Sequence, residues 1–338
     1  MAQINKPSDY FNTVLYTGTG SGGSNRQITG VGFQPDFTWV KTRGSSQEHV
    51  LSDSVRGATK ALDSQATTAE ETTNTRIGAF ISDGFQLGSG AVQNRVNQSG
   101  IGIASWNWLA NGAGVANTDG SISSTVSASA TSGFSIVSYT GTNATATVGH
   151  GLGVTPKVVI YKNRTDVTNW YFTTTIIDGT HDLLFLNTNE AQQVYSAPVP
   201  TSSVLNLIAN NDTNGSGDNI IAYCFAEKKG FSKFGSFVSN NTSDNAFIYT
   251  GFKPAFLIAK STTSTNNWVM FDNKRNTFNA VDKKLYPDLS NSEDTEADWD
   301  FLSNGLKLRA GYGANTYIYM AFAENPLVGT NNIPTTAR

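Results

Sequence analysis

Two charged pairs stand at the same short spacing in distant parts of the chain: Asp53 and Arg56 in "DSVR", and Asp272 and Arg275 in "DNKR". An aspartate three residues before an arginine can form an acid- or sugar-binding clamp. Alternatively, its carboxylate can cap a following helix while the guanidinium holds a loop. Charge kept at duplicated positions serves a fold more often than one active site, so these four residues read as structural pairs.

The other reactive residue types give little. His49, His150 and His181 lack the close company a metal ligand needs. Cys224 sits inside an apolar run with no base suggested nearby, which makes it a small core residue. "NNDTNG" opens like a calcium loop, with Asn210, Asp212, Asn214 and Gly215 in place, but Ile221 stands where the chelating carboxylate belongs. It reads as a hairpin tip. "GTGSGGS" (18–24) lacks the Lys-Ser/Thr of a phosphate loop and reads as a turn. Glycoside hydrolysis needs two facing carboxylates, and Glu227 and Glu324 match no carboxylate near Asn111. "SWNW" (105–108) offers stacking platforms for sugars, but its alignment with apolar runs elsewhere favours packing. No catalytic residue, metal or cofactor is expected.

The elements that would position these residues are strands. Charged residues make up only 14% of the 338 positions, while Gly is 32, Phe 19 and Tyr 12. That mix suits pleated, half-buried strands and tight turns rather than helices. The net charge of −3 and the lack of a basic run exclude a phosphate-tracking surface, so no nucleic-acid partner is expected. One cysteine excludes an intrachain disulfide framework. "MAQINKPSDYF" lacks the pattern of a signal peptide, and no apolar stretch is long enough to span a bilayer. Folding in a cytoplasm, without membrane insertion, is expected.

The chain repeats itself. "GFQPDFTWVK", "GVTPKVVIYK" and "GFKPAFLIAK" carry Pro35, Pro156 and Pro254. Six residues after each proline lie Lys41, Lys162 and Lys260; fourteen residues after lie His49, Trp170 and Trp268. His49 therefore reads as the occupant of a packing slot. Eighteen residues after lie Asp53 and Asp272, whereas the second copy has Thr174. The copies close on "IASWNW", "IIAYCF" and "YIYMAF". Three fixed offsets kept in register indicate duplication of a domain-sized unit.

Short runs rich in Val, Ile, Phe and Tyr, punctuated by Gly, Asn and Pro, predict an all-β protein. It has three related antiparallel β-sandwich, jelly-roll-like repeats with short helical insertions. The expected divisions are a docking segment 1–12, repeats 13–112, 134–230 and 231–326, a Ser/Ala/Gly-rich linker 113–133 and a polar tail 327–338 that frays or docks on a neighbour. Helices are expected within 54–71 and 278–286, following each Asp-x-x-Arg. Repeats 2 and 3 abut without a linker and are expected to form a rigid pair. Loop tips near 89–100, 210–219 and 310–316 offer groups suited to glycans: Asn94, Arg95, Asn97, Asn211, Asp212, Asn214, Tyr312 and Asn315.

"INKPSDYFNTVLYTG", "GVGFQPDFTWVK", "DSVRGATK", "IAYCFAEKKGFSKFGSF", "FIYTGFKPAFLIAK" and "YIYMAFAENP" together resemble a family of structural proteins of tailed bacteriophages, marine ones especially. The resemblance runs from about Ile4 to Pro326. It implies a virion component, without a catalytic site. The expected role is a tail-fibre or tail-associated protein that contacts host-surface glycan, with other virion proteins as partners and, by analogy, a homotrimer. A capsid decoration or head-fibre protein and a polysaccharide depolymerase are the alternatives.

Overall fold

The computed structural model describes residues 3–20, 25–90 and 94–329. Residues 21–24 of the glycine-rich turn, 91–93 of the first loop tip and 330–338 of the tail lie outside them, as do Met1 and Ala2. The described chain is all-β, built of antiparallel sheets.

One four-stranded pattern occurs three times. Repeat 1 pairs Phe11–Thr17, Gly102–Trp108, Phe37–Thr42 and Val50–Asp53, in that spatial order. Repeat 2 pairs Phe134–Thr140, Asn219–Phe225, Val158–Asn163 and Tyr171–Thr174 in the same order. Repeat 3 does so with Ser232–Val238, Thr316–Pro326, Phe252–Ser261 and Val269–Asp272. In each, the closing strand lies between the opening strand and the strand that follows the anchor proline or, in repeat 3, contains it. A second, outer sheet covers the far face: Gln27–Thr29, Gly84–Leu87 and Ile77–Ile81 in repeat 1; Ala146–Gly149 with Val204–Leu207 in repeat 2; and Phe247–Tyr249, Gly305–Leu308, Asp294–Leu302 and Val281–Lys284 in repeat 3.

The closing strands explain the architecture. They are buried on both faces, with Ser105 and Asn107 the polar exceptions on the outward face of repeat 1. Trp106 and Trp108, Tyr223 and Phe225, and Met320 and Phe322 point inward into one core shared by all three repeats. The alternate residues Ile103, Cys224 and Ala321 point outward into three separate cores beneath the outer sheets. Period-two alternation thus serves two cores from one strand. At the shared centre Trp108 and Phe225 both touch Phe322, at ring-centroid separations of 5.7 and 6.1 Å. Around them remains an apolar void of about 20 Å³. The Cys224 thiol is buried and pushed up to about 12 by that burial, so it is a packing residue.

Several local expectations are corrected. Residues 113–133 are not an extended linker. Val115–Asn117 and Ser124–Ser129 form two strands that add to the edge of repeat 2 beside Phe134–Thr140. Neither 54–71 nor 278–286 is helical. The first holds turns and the short strand pair Lys60–Ala61 and Glu71–Thr72, and the second holds the strand Val281–Lys284. Among the described residues the α-helical turns lie elsewhere, at Asn94–Asn97 and Asn211–Asn214, and a 3-10 turn at Pro7–Asp9. The second replaces the expected hairpin tip: Asn210 caps it, accepting from the N–H groups of Asp212 and Thr213. The described part of 1–12 is packed onto the body, with Ile4 buried and its N–H donating to Lys229 O at 3.0 Å.

Candidate functional site

The Asp-x-x-Arg pairs lie at the seams between repeats. Asp53 Oδ1 accepts from the N–H groups of Val55 and Arg56, and its Oδ2 is paired with Arg56 Nε. It caps a turn, where a helix was expected. The same carboxylate oxygen accepts from Tyr223 Oη of repeat 2 at 2.7 Å. Asp272 repeats the arrangement with Arg275 and accepts from Trp106 Nε1 of repeat 1 at 3.0 Å. Tyr223 and Trp106 occupy the same strand position, two residues before Phe225 and Trp108. In repeat 3 that position is Met320, which carries no donor, and it faces the seam of repeat 2, whose Asp is replaced by Thr174 and whose Arg is replaced by Ile177. Carboxylate and donor are kept together at two seams and lost together at the third.

Three further seam contacts recur around the ring. Glu70 N donates to Arg164 O, Gln192 N to Thr262 O and Glu293 N to Arg43 O, at 2.9, 2.9 and 2.7 Å. They run from repeat 1 to 2, from 2 to 3 and from 3 back to 1. At two of them the side chains add a two-bond ion pair, Glu70–Arg164 and Glu293–Arg43. Burial works against the Glu70 charge, but Arg164 and Arg56 hold its carboxyl below the usual range. Trp170 Nε1 donates to Asp63 O and Trp268 Nε1 to Phe185 O, both at 2.9 Å. His49 Nε2 bonds Tyr286 O at 2.9 Å. The slot read as packing alone is therefore a polar clasp on the preceding repeat. Because Trp39 Nε1 donates to His49 Nδ1 at 2.8 Å, the His49 proton sits on Nε2. Burial and the nearby Lys41 charge lower this histidine to about 3, so it stays neutral. Repeats 2 and 3 pack against each other, and repeat 1 packs against both, so the three close a ring.

The aligned lysines are buried completely. Lys41 Nζ donates to Thr42 O and Ser45 O, Lys260 Nζ to Ser261 O and Ser264 O, and Lys162 Nζ to Thr168 O and to Thr67 O of repeat 1. They hold loops through carbonyl oxygens. Burial lowers each to about 8.

Of the loop-tip residues, Asn97 and Asn214 are buried and structural. Each side-chain oxygen accepts from the N–H of an equivalent threonine, Thr19 or Thr142, at 3.0 and 2.8 Å. Arg95 is paired with Glu48 and Asp63. Asp212 accepts from Asn169 N, and Asn211 Nδ2 donates to Asp166. Asn315 Nδ2 donates to Tyr312 O, and Tyr312 Oη donates to Asp298 at 2.6 Å. For Asn94 only the backbone is described.

Open clefts occur at equivalent corners of repeats 1 and 3. Leu62 bridges to Leu51 as Leu285 bridges to Met270, which equates Asp63 with Tyr286. Beside Leu62 lies a cleft of about 290 Å³ lined by Asp63, Glu71, Arg76 and Arg95. Beside Leu285 lies one of about 320 Å³ lined by Asn266, Asn267, Lys284, Tyr286, Tyr312 and Tyr317. In repeat 2 the rings of Tyr171, Phe185 and Tyr195 pack together at this corner, 5.2 and 5.9 Å apart. Tyr312 and Arg95 are the expected tip residues that line a cleft. Lys284 and Tyr286 escape a sequence reading because their segment has helical spacing, although their alternation is a usable strand signal.

A family model described as a domain of unknown function, DUF7483, matches residues 6–326, and the chain belongs to that family. No curated protein matches it. No helix among the described residues is long and apolar enough to cross a membrane.

Proposed function

We propose that this DUF7483 protein is a structural component of a bacteriophage particle, tail-associated and in contact with host-surface glycans. The long phrases from Ile4 to Pro326 that resemble phage structural proteins support the particle role. The glycan role rests on one structural observation: polar clefts at equivalent corners of repeats 1 and 3, carried on a body whose repeats share a single core. A rigid carrier with shallow, repeated, polar sites suits weak binding strengthened by multivalency. The work proposed is recognition without catalysis. One chain already completes its own three-way ring, so a homotrimer would extend the ring and is not needed to complete it.

Quantitative mass spectrometry of purified particles tests the reading. A tail role requires the protein in the particle at a handful to a few dozen copies. Hundreds of copies would move it to the capsid surface as a decoration protein. Absence from particles would overturn the proposal.

A further inference from the structure

The cleft of repeat 3 has a definite chemistry, and its assignment to a ligand class rests on the reading that the lobes meet glycans. Three tyrosines form its walls, and each is fixed. Tyr317 stacks on Phe237 at 5.5 Å, Tyr312 packs against Tyr317 at 5.4 Å and edge-on to Trp299 at 6.2 Å, and Tyr286 Oη donates to Asp294 at 2.9 Å. Tyr317 Oη is anchored to Tyr312 O at 3.0 Å and receives Asn266 Nδ2 at 3.0 Å. Rings held this way lose little freedom on binding; Tyr286 and Tyr312, partly exposed, present an apolar body, and the buried Tyr317 backs them. Among the described residues the Asn267 side chain makes no hydrogen bond, so its amide is available to a ligand hydroxyl.

The electrostatics narrow the ligand. Among the described residues Lys284 is the one cation lining the cleft, and it is paired with Glu296 and with Asp298, the latter at 3.5 Å. Asp294 sits at the hydroxyl of Tyr286, and Asp298 at that of Tyr312. Arg309, just past the strand Gly305–Leu308, is engaged with Asp300. Three carboxylates therefore face one ammonium. A field of that sign repels a uronate, sialate or phosphate and tolerates hydroxyls, acetamides and ammonium groups. The repeat 1 cleft lacks the tyrosine walls, and Arg76 and Arg95 stand there against Asp63, Glu71 and the Arg95 partner Glu48, a smaller imbalance.

We infer that the Tyr286–Tyr312–Tyr317 cleft is a saccharide subsite that takes neutral or amino-bearing sugar units and rejects acidic ones.

The test is calorimetric titration of the full chain with three probes: tetra-N-acetylchitotetraose, chitotetraose and tetragalacturonate. The first two should bind with a Kd of about 1 mM or tighter, and the third at least about tenfold more weakly. Asn267→Ala, at a partly exposed position whose side chain holds no hydrogen bond among the described residues, should weaken the first two about tenfold. Asp294→Asn combined with Glu296→Gln should narrow the gap to the acidic probe. Tighter binding of tetragalacturonate would overturn the inference. So would no binding of any probe, or binding indifferent to Asn267→Ala. Particle mass spectrometry is unaffected by these results. A protein found in particles with an inert cleft sinks only this inference, and a saccharide-binding protein absent from particles sinks only the particle role.

Discussion

Arg43 and Glu293, 250 positions apart in sequence, meet in a two-bond ion pair with both N···O distances at 2.8 Å. The contact joins the first repeat to the last and closes the ring. Arg275 also reaches Glu293, at 3.2 Å, so two arginines from different repeats share one carboxylate. The seam between repeats 2 and 3 differs: Gln192 and Thr262 stand at the same positions there, and only the backbone bond remains.

The first prediction concerns this pair. Arg43→Thr leaves Glu293 with Arg275 alone, and Glu293→Gln takes the shared carboxylate from both arginines, so each should cost about 1–3 kcal/mol. The double variant, which copies the neutral seam, should cost less than the sum of the singles, with a coupling of about 0.5–3 kcal/mol. Urea unfolding of the four proteins measures it. Additive losses would mean the pair does not act as a unit.

A second prediction concerns the donor that accompanies the carboxylate. Tyr223→Phe removes the hydroxyl that Asp53 accepts and that Arg56 Nη2 donates to at 3.2 Å. The substitution should cost about 1–3 kcal/mol. Met320→Leu, at the equivalent position in the shared core, should cost under about 1.5 kcal/mol, because no polar partner waits there. Thermal melts of both variants check this; equal losses would show that Tyr223 contributes packing alone.

Much of the fold is legible in the residues, and the rest is hidden for identifiable reasons. The offsets from Pro35, Pro156 and Pro254 mark the strands and the aromatic closing runs. Ring closure is hidden because His49, Arg43 and Glu293 each bond a residue in another repeat, and spacing within one repeat carries no record of that. The strands at 115–117 and 124–129 read as linker because their Ser and Ala side chains bury little, whereas a sheet edge needs only backbone partners. The 278–286 segment has Phe278, Val281 and Leu285 at helical spacing, but Val281–Lys284 pairs with Asp294–Leu302, and tertiary pairing overrides the local pattern. The repeat 3 cleft is half legible: Tyr312 shows itself at a loop tip, while Lys284 and Tyr286 come from the strand with helical spacing.

The third prediction is a stability maximum in mild alkali. Lys41, Lys162 and Lys260 are lowered to about 8 in the fold against 10.5 when exposed. Between those values the unfolded chain holds more protons, so stability rises with pH, on the order of 1–3 kcal/mol per lysine. Burial raises Tyr139, Tyr161 and Tyr223 well above 10.0, and there the native state holds more protons. Their stabilisation is complete below pH 10 and is lost above it. The melting temperature should climb from pH 8 and fall beyond 10. Lys260→Met should flatten the climb by about a third if the three lysines act alike. A steady fall from pH 8 upward would contradict the lysine assignment.

The most direct test of the closed ring is a disulfide across its last seam. The Glu293 N to Arg43 O bond at 2.7 Å holds the two Cα atoms within the roughly 4.4–6.8 Å that a disulfide spans. The buried Cys224 should not compete. Arg43→Cys with Glu293→Cys should oxidise to an intrachain bond in the folded monomer, as should Thr262→Cys with Gln192→Cys at the matching seam. Peptide mapping that finds both bonds is the expected result; the second bond without the first would mean that repeats 1 and 3 do not meet and that the ring is open.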